Sequence, residues 1–222
     1  GKAHFQPLHG SDEFPSLEAY PTLQDLDFWK SFGGPFYGFD DFELARNHTD
    51  EPHVGQHYAI WMEEKGLKNW RDYFSKPTGT KDSQEHKWNL PEEFHYNTWI
   101  AERTNHYLEQ YNSNDQPFFL WASFFDPHPS YLVPEPWDTM YDPDQLTVPE
   151  GRPGEHDENS PFLRFTQDTE PTLEKYGLNP YSNWIHGLQS HVQDRESLAK
   201  DMAVYYGMVS CMDKYVGKIL DR

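Results

Sequence analysis

The run Phe118-Phe119-Leu120-Trp121-Ala122-Ser123-Phe124-Phe125 restricts this chain more than any other segment. It is apolar at nearly every position and shows no alternation, so a fold must hide both of its faces. Eight residues rich in aromatics read as a strand buried on both sides of a sheet. The run stops at Asp126-Pro127-His128-Pro129, where two prolines cannot continue a ladder. In open α/β sheets the chemistry sits at the carboxyl ends of such strands, which would display His128 where an active site lies. A strand-end histidine that caps a carbonyl fits the same segment equally well.

The remaining composition sets limits on partners. The 222 residues suffice for one domain with a sizeable core, and the formal charge of −19 argues against nucleic acid or an anionic membrane as partner. Any anionic substrate must then be drawn in by a local positive site against the global field. No apolar run approaches the roughly 20 residues needed to span a bilayer. A single cysteine excludes an internal disulfide, and eighteen prolines imply much ordered but irregular chain.

Three helices are legible. One runs from about Pro52 to Lys65, with Val54, Tyr58, Trp61 and Met62 on one face and Gly66 at its end. A second opens at Pro91, with Glu92 and Glu93 favourable at its amino end, and carries Phe94, Ala101, Leu108 and Tyr111 at helical spacing. The third is capped by Asp194, and Leu198, Met202, Tyr205, Val209, Met212, Val216 and Ile219 form a stripe expected to pack on a sheet. Residues 5–50 and 67–90 read as loop with short elements. Residues 127–190 hold most of the prolines, and so long a loop in a compact domain is usually functional or partly disordered.

The chain opens Gly1-Lys2-Ala3-His4. In an extended segment residues two apart share a side, so the Lys2 ammonium and the His4 imidazole can address one small target. Lysine offers a compact positive charge to an oxyanion and histidine moves protons near neutral pH; an ordinary chain terminus is the plain alternative. Gly-Lys-x-His, together with an apolar strand ending in Asp-Pro-His-Pro, resembles the formylglycine-dependent sulfatases of the alkaline-phosphatase-like superfamily. Leu90 to Trp99, Pro134-Glu135-Pro136-Trp137, Met140-Tyr141-Asp142-Pro143 and Tyr205 to Ser210 resemble connecting segments of bacterial sulfatases, in the same order.

That resemblance implies an α/β fold, a mixed and mostly parallel sheet flanked by helices, with residues 1–222 as an interior section of a single catalytic domain. It implies a sulfuric ester hydrolase acting on a small-molecule or oligosaccharide sulfate ester, a sulfated carbohydrate above all, in a periplasmic or extracellular location. Lys2 would clamp the sulfate oxygens, His4 would act as base at the formylglycine hydrate, and His128 would protonate the leaving alcohol. Trp137, His95 and Asp126 are the candidate substrate-binding residues. Trp137 either stacks on a sugar face or anchors the loop after His128.

Calcium and formylglycine are the implied cofactors, and neither is expected from residues of this chain. No Cys/Ser-x-Pro/Ala-x-Arg motif is present, and Cys211 falls inside the third helix, where a buried thiol serves as a small hydrophobe. Asp40-Asp41 is a tandem acidic pair, but it follows the lysine segment and so lies in the wrong order for the family's calcium ligands. His53 and His57, four apart beside His48, Asp50 and Glu51, superficially suggest zinc, yet nothing supplies a clear third ligand. Two other readings remain open. One is a phosphonate monoester or phosphodiester hydrolase on the same scaffold, the other a non-catalytic sulfatase-like binding protein.

Overall fold

The computed structural model describes residues 11–13, 15–34, 36–46, 53–74, 88–112, 116–155, 157–160 and 194–222. Its regular elements are helices. Helix α1 spans Leu26–Ser31, and Asp25 starts it by accepting a hydrogen bond from the Phe28 amide at 3.0 Å. Helix α2 spans Gln56–Glu64. It begins at Gly55, where a Cβ would lie 2.2 Å from the Leu23 carbonyl oxygen, so only glycine allows this approach. It ends at Gly66, whose φ of +101° lets the Leu67 amide turn back to the Met62 carbonyl at 2.9 Å.

Pro91 does not open a continuous helix. It precedes a short 3-10 turn, Glu92–Phe94, and helix α3 follows over Tyr96–Asn112. Helix α4 spans Arg195–Leu220, and Asp194 caps it by accepting from the Ser197 amide at 2.8 Å, as the sequence suggests.

Two apolar clusters meet across α3. The first gathers Tyr58, Met62, Trp70, Phe74, Trp88, Leu90, Tyr96 and Trp99 from α2, the 3-10 turn Trp70–Tyr73 with the residue after it, the segment 88–90 and the start of α3. Its rings pack at offset and edge-on angles, as Tyr58 does against Trp99 at 5.4 Å and Phe74 against Trp88 at 5.4 Å. The second joins Ala101 of α3 and Val133 to Val204, Met208, Cys211 and Tyr215 of α4. Phe124 touches both clusters and ties them together.

The expected stripe on α4 is not the one that is buried. Ala203, Val204, Gly207, Met208, Cys211 and Tyr215 face inward, while Met202, Val209, Met212 and Val216 are half-buried and Tyr205 is exposed. The reason is close approach: a Cβ on Gly207 would stand 2.0 Å from the Trp137 carbonyl oxygen, so the helix turns its small residues towards that loop. A count of large apolar residues misses this face because Ala203, Gly207 and Cys211 share it with Val204, Met208 and Tyr215.

The doubly buried strand expected at 118–125 is also not seen. Among the described residues, pairing is limited to isolated bridges such as the antiparallel one between Phe36 and Phe39. Phe118, Phe119 and Trp121 are 48%, 78% and 45% exposed. A central strand needs a neighbour on each edge and a layer on each face. Here the apolar clusters take in only the Phe124–Phe125 end, and at the other end Tyr111 of α3 stacks on Phe118 at 5.3 Å. The described residues therefore carry the helical part of the expected α/β architecture and not its sheet.

Candidate active site

Where the apolar run ends, the backbone makes a four-residue turn: the His128 amide donates to the Phe125 carbonyl at 3.0 Å. The two polar side chains of that turn part company. Asp126 points inward and is 6% exposed, whereas His128 is exposed, its Nδ1 against the Pro129 carbonyl.

Asp126 is received by the first residues of α3. Tyr96 donates its hydroxyl to Oδ1, and Asn97 donates Nδ2 to Oδ2 at 2.6 Å. Burial pushes the Asp126 carboxyl up to about 7, against the pull of these two donors. Desolvation wins here, because two hydrogen bonds replace only part of a carboxylate's hydration. Burial and then the Asp126 charge also raise Tyr58 well above its usual range, and the same two causes lead for Tyr96.

His95 lies beneath this cluster and is fully buried. Its Nδ1 accepts the Asn97 amide at 3.2 Å, its ring sits 3.9 Å from that of Tyr96, and Trp88 meets it edge-on at 5.4 Å. Its Nε2 has no partner among the described residues. Burial holds the imidazole down to about 3, so it is neutral at any physiological pH. Asn97 Nδ2 also reaches Cys211 Sγ at 3.6 Å, which links the cluster to α4.

The structure thus brings two of the sequence candidates, His95 and Asp126, into one buried network and leaves His128 on its outer edge. Trp137 stands apart on the second cluster, half-buried, with the Lys214 ammonium 5.3 Å from its ring centroid. Lys2 and His4 lie outside the described residues. Tyr96 and Asn97 escape a sequence reading, because a Tyr-Asn pair opening a helix carries no chemical signature of its own.

The implied cofactors find no fit among the described residues. No three His, Cys, Asp or Glu side chains there group to hold an ion. Cys211, fully buried in α4, has its thiol pushed up to about 12 by burial, which suits a packing residue and not a nucleophile. His57 plays a structural part. Its Nδ1 accepts the Leu44 amide at 3.1 Å between the rings of Trp29 and Phe42, and burial lowers it to about 4. Asp41 accepts the Tyr111 hydroxyl. No described helix is long and apolar enough to cross a membrane.

The turn thus sets a buried carboxyl and an exposed imidazole two residues apart at the end of the apolar run. The sulfatase family model matches residues 46–222, and the chain belongs to that family. It is also 23% identical, over 212 residues, to the multifunctional alkaline phosphatase superfamily protein PehA of Trinickia caryophylli. That match covers 94% of this chain and 34% of the relative, so the chain spans about a third of the relative's length.

Proposed function

We propose that the protein carrying this chain hydrolyses sulfate monoesters, sulfated carbohydrates in particular, with His128 as the general acid. The observation behind this reading is the turn itself, which lies within the family match and fixes Asp126 inward while leaving His128 to solvent. Hydrolysis of R–O–SO3− breaks the S–O bond and needs a proton on the departing sugar oxygen, since an alkoxide leaves poorly. A histidine side chain is suited to supply that proton near neutral pH. On this reading Lys2 neutralises sulfate oxygens and His4 serves as base, both by resemblance. Calcium and formylglycine belong to the same expectation: the formylglycine hydrate would supply the oxygen that bonds to sulfur and calcium would polarise the sulfate, while His128 protonates the departing oxygen. A periplasmic or extracellular location fits an enzyme whose substrates are sulfated glycans.

The test compares two leaving groups in the whole protein. His128→Ala should lower kcat/KM on a sulfated sugar about a hundredfold or more, and on nitrophenyl sulfate far less, because nitrophenolate scarcely needs a proton. Equal losses on both substrates would remove the general-acid role. The relative's description as multifunctional favours a second reading, in which phosphonate monoesters or phosphodiesters are also cleaved. Assays with both ester classes on the same preparation separate the two.

A further inference from the structure

We propose that Tyr96 and Asn97, opening α3, act through Asp126 to hold the His128 imidazole in place, so that all three are positioning residues of the hydrolytic site. The inference rests on the reading of His128 given above, and its test is arranged so that the two can fail separately.

The geometry carries it. Asp126 occupies the second place of the Phe125–His128 turn, two residues before His128, so gripping its side chain anchors the entry to the turn that displays the histidine. Both of its carboxyl oxygens are held, by Tyr96 on one and by Asn97 on the other, and both donors come from one helical turn whose backbone is itself locked. Tyr96 cannot swing away. Its ring is fully buried, with His95 on one side at 3.9 Å and Phe125 edge-on at 5.5 Å. Asn97 is steadied in turn by the Cys211 sulfur of α4. One helix therefore grips that side chain of the turn directly, and a second braces the grip through Asn97.

Stability alone does not account for the chemistry chosen. A buried acid, phenol and amide give up hydration that their mutual bonds only partly restore, and apolar side chains of the same volume often serve a core as well or better. What a polar network adds is direction: a turn gripped at two oxygens has one orientation, whereas an apolar plug permits several. His128 stands at the far end of that turn, its Nδ1 against the Pro129 carbonyl.

The experiment uses the whole protein with Tyr96→Phe and Asn97→Ala, each alone and combined with His128→Ala. Readouts are kcat/KM on a sulfated sugar and on nitrophenyl sulfate, and the NMR resonance of the His128 ring in ¹³C-histidine-labelled protein, identified by its loss in His128→Gln. Positioning predicts about a ten- to hundredfold loss on the sulfated sugar, little on nitrophenyl sulfate, no further loss in the His128→Ala background, and a displaced His128 resonance. Losses that multiply in that background, with the His128 resonance unmoved, would overturn the proposal. If His128→Ala shows no leaving-group dependence while Tyr96→Phe still displaces the resonance, the positioning link stands and the general-acid reading falls. Should Asn97→Ala fail to fold, Tyr96→Phe removes only a hydroxyl and keeps the test intact.

Discussion

Two regions of this molecule are almost equally aromatic and meet opposite fates. Around α2 and the start of α3, Tyr58, Trp70, Phe74, Trp88 and Trp99 are buried against one another. In the run 118–125, Phe119 stands largely in solvent and Phe118 and Trp121 are close to half exposed. The difference is one of partners. The first group comes from α2, α3 and the turn and segment between them, where the helices satisfy their own backbone bonds and the rings need only side-chain neighbours. The second has the composition of a central strand, whose burial requires a ladder on each edge. Hydrophobicity states a demand, and only topology meets it.

The comparison is broken most forcefully in the helical core. Trp70 has no exposed surface, donates Nε1 to Glu63 at 3.2 Å, and lies beneath the Arg71 guanidinium at 4.2 Å from its ring centroid. Trp70→Ala should cost about 3–5 kcal/mol in denaturant unfolding, through lost transfer energy and the cavity left behind. A cost below about 1 kcal/mol would mean that this cluster is no true core.

How much of the molecule is legible in the sequence follows the same division. The cap at Asp194, the stop at Gly66 and the helical spacing around Tyr58 and Trp61 are local signals, and they hold in the structure. The inward face of α4 is not legible because its selector, the Trp137 carbonyl against Gly207, is a tertiary contact that periodicity cannot register. For the site, Asp126-Pro127-His128-Pro129 announces itself through proline punctuation, while the donors to Asp126 lie some thirty residues earlier and have no motif. Sequence alone reveals the displayed group and not its support.

Asp126 is the junction of the two regions, the point at which the exposed run enters the buried core, and its titration gauges how dry that junction is. Its folded-state carboxyl, raised to about 7, binds a proton that the unfolded carboxyl has already released above its ordinary value near 3.8. The stability it contributes is therefore complete below about pH 4 and is lost as pH rises through 7. His57 and His95, lowered by burial, act in the opposite sense, with stability lost as pH falls through 6.5 towards their folded values. Asp126→Asn removes only the first effect. Between pH 6 and pH 8 the variant should gain about 1.4 kcal/mol on the wild type in parallel unfolding curves. A constant difference across that range would show that Asp126 is hydrated.

The smallest effect is expected where composition alone would predict a large one. Phe119 is 78% exposed, and the ring of its aromatic neighbour Phe39 is centred 6.4 Å away. Phe119→Ser in this 222-residue chain should change unfolding free energy by no more than about 0.5 kcal/mol, the usual range for surface positions. In the whole protein, where sheet neighbours for the run are expected, the same substitution should cost several times more, because a serine would then sit in a doubly covered strand. The ratio of the two measurements isolates what strand pairing of this run contributes. Equal and small costs in both would mean that the run is a surface segment even in the assembled fold. Equal and large costs would mean that its burial is already complete within these residues.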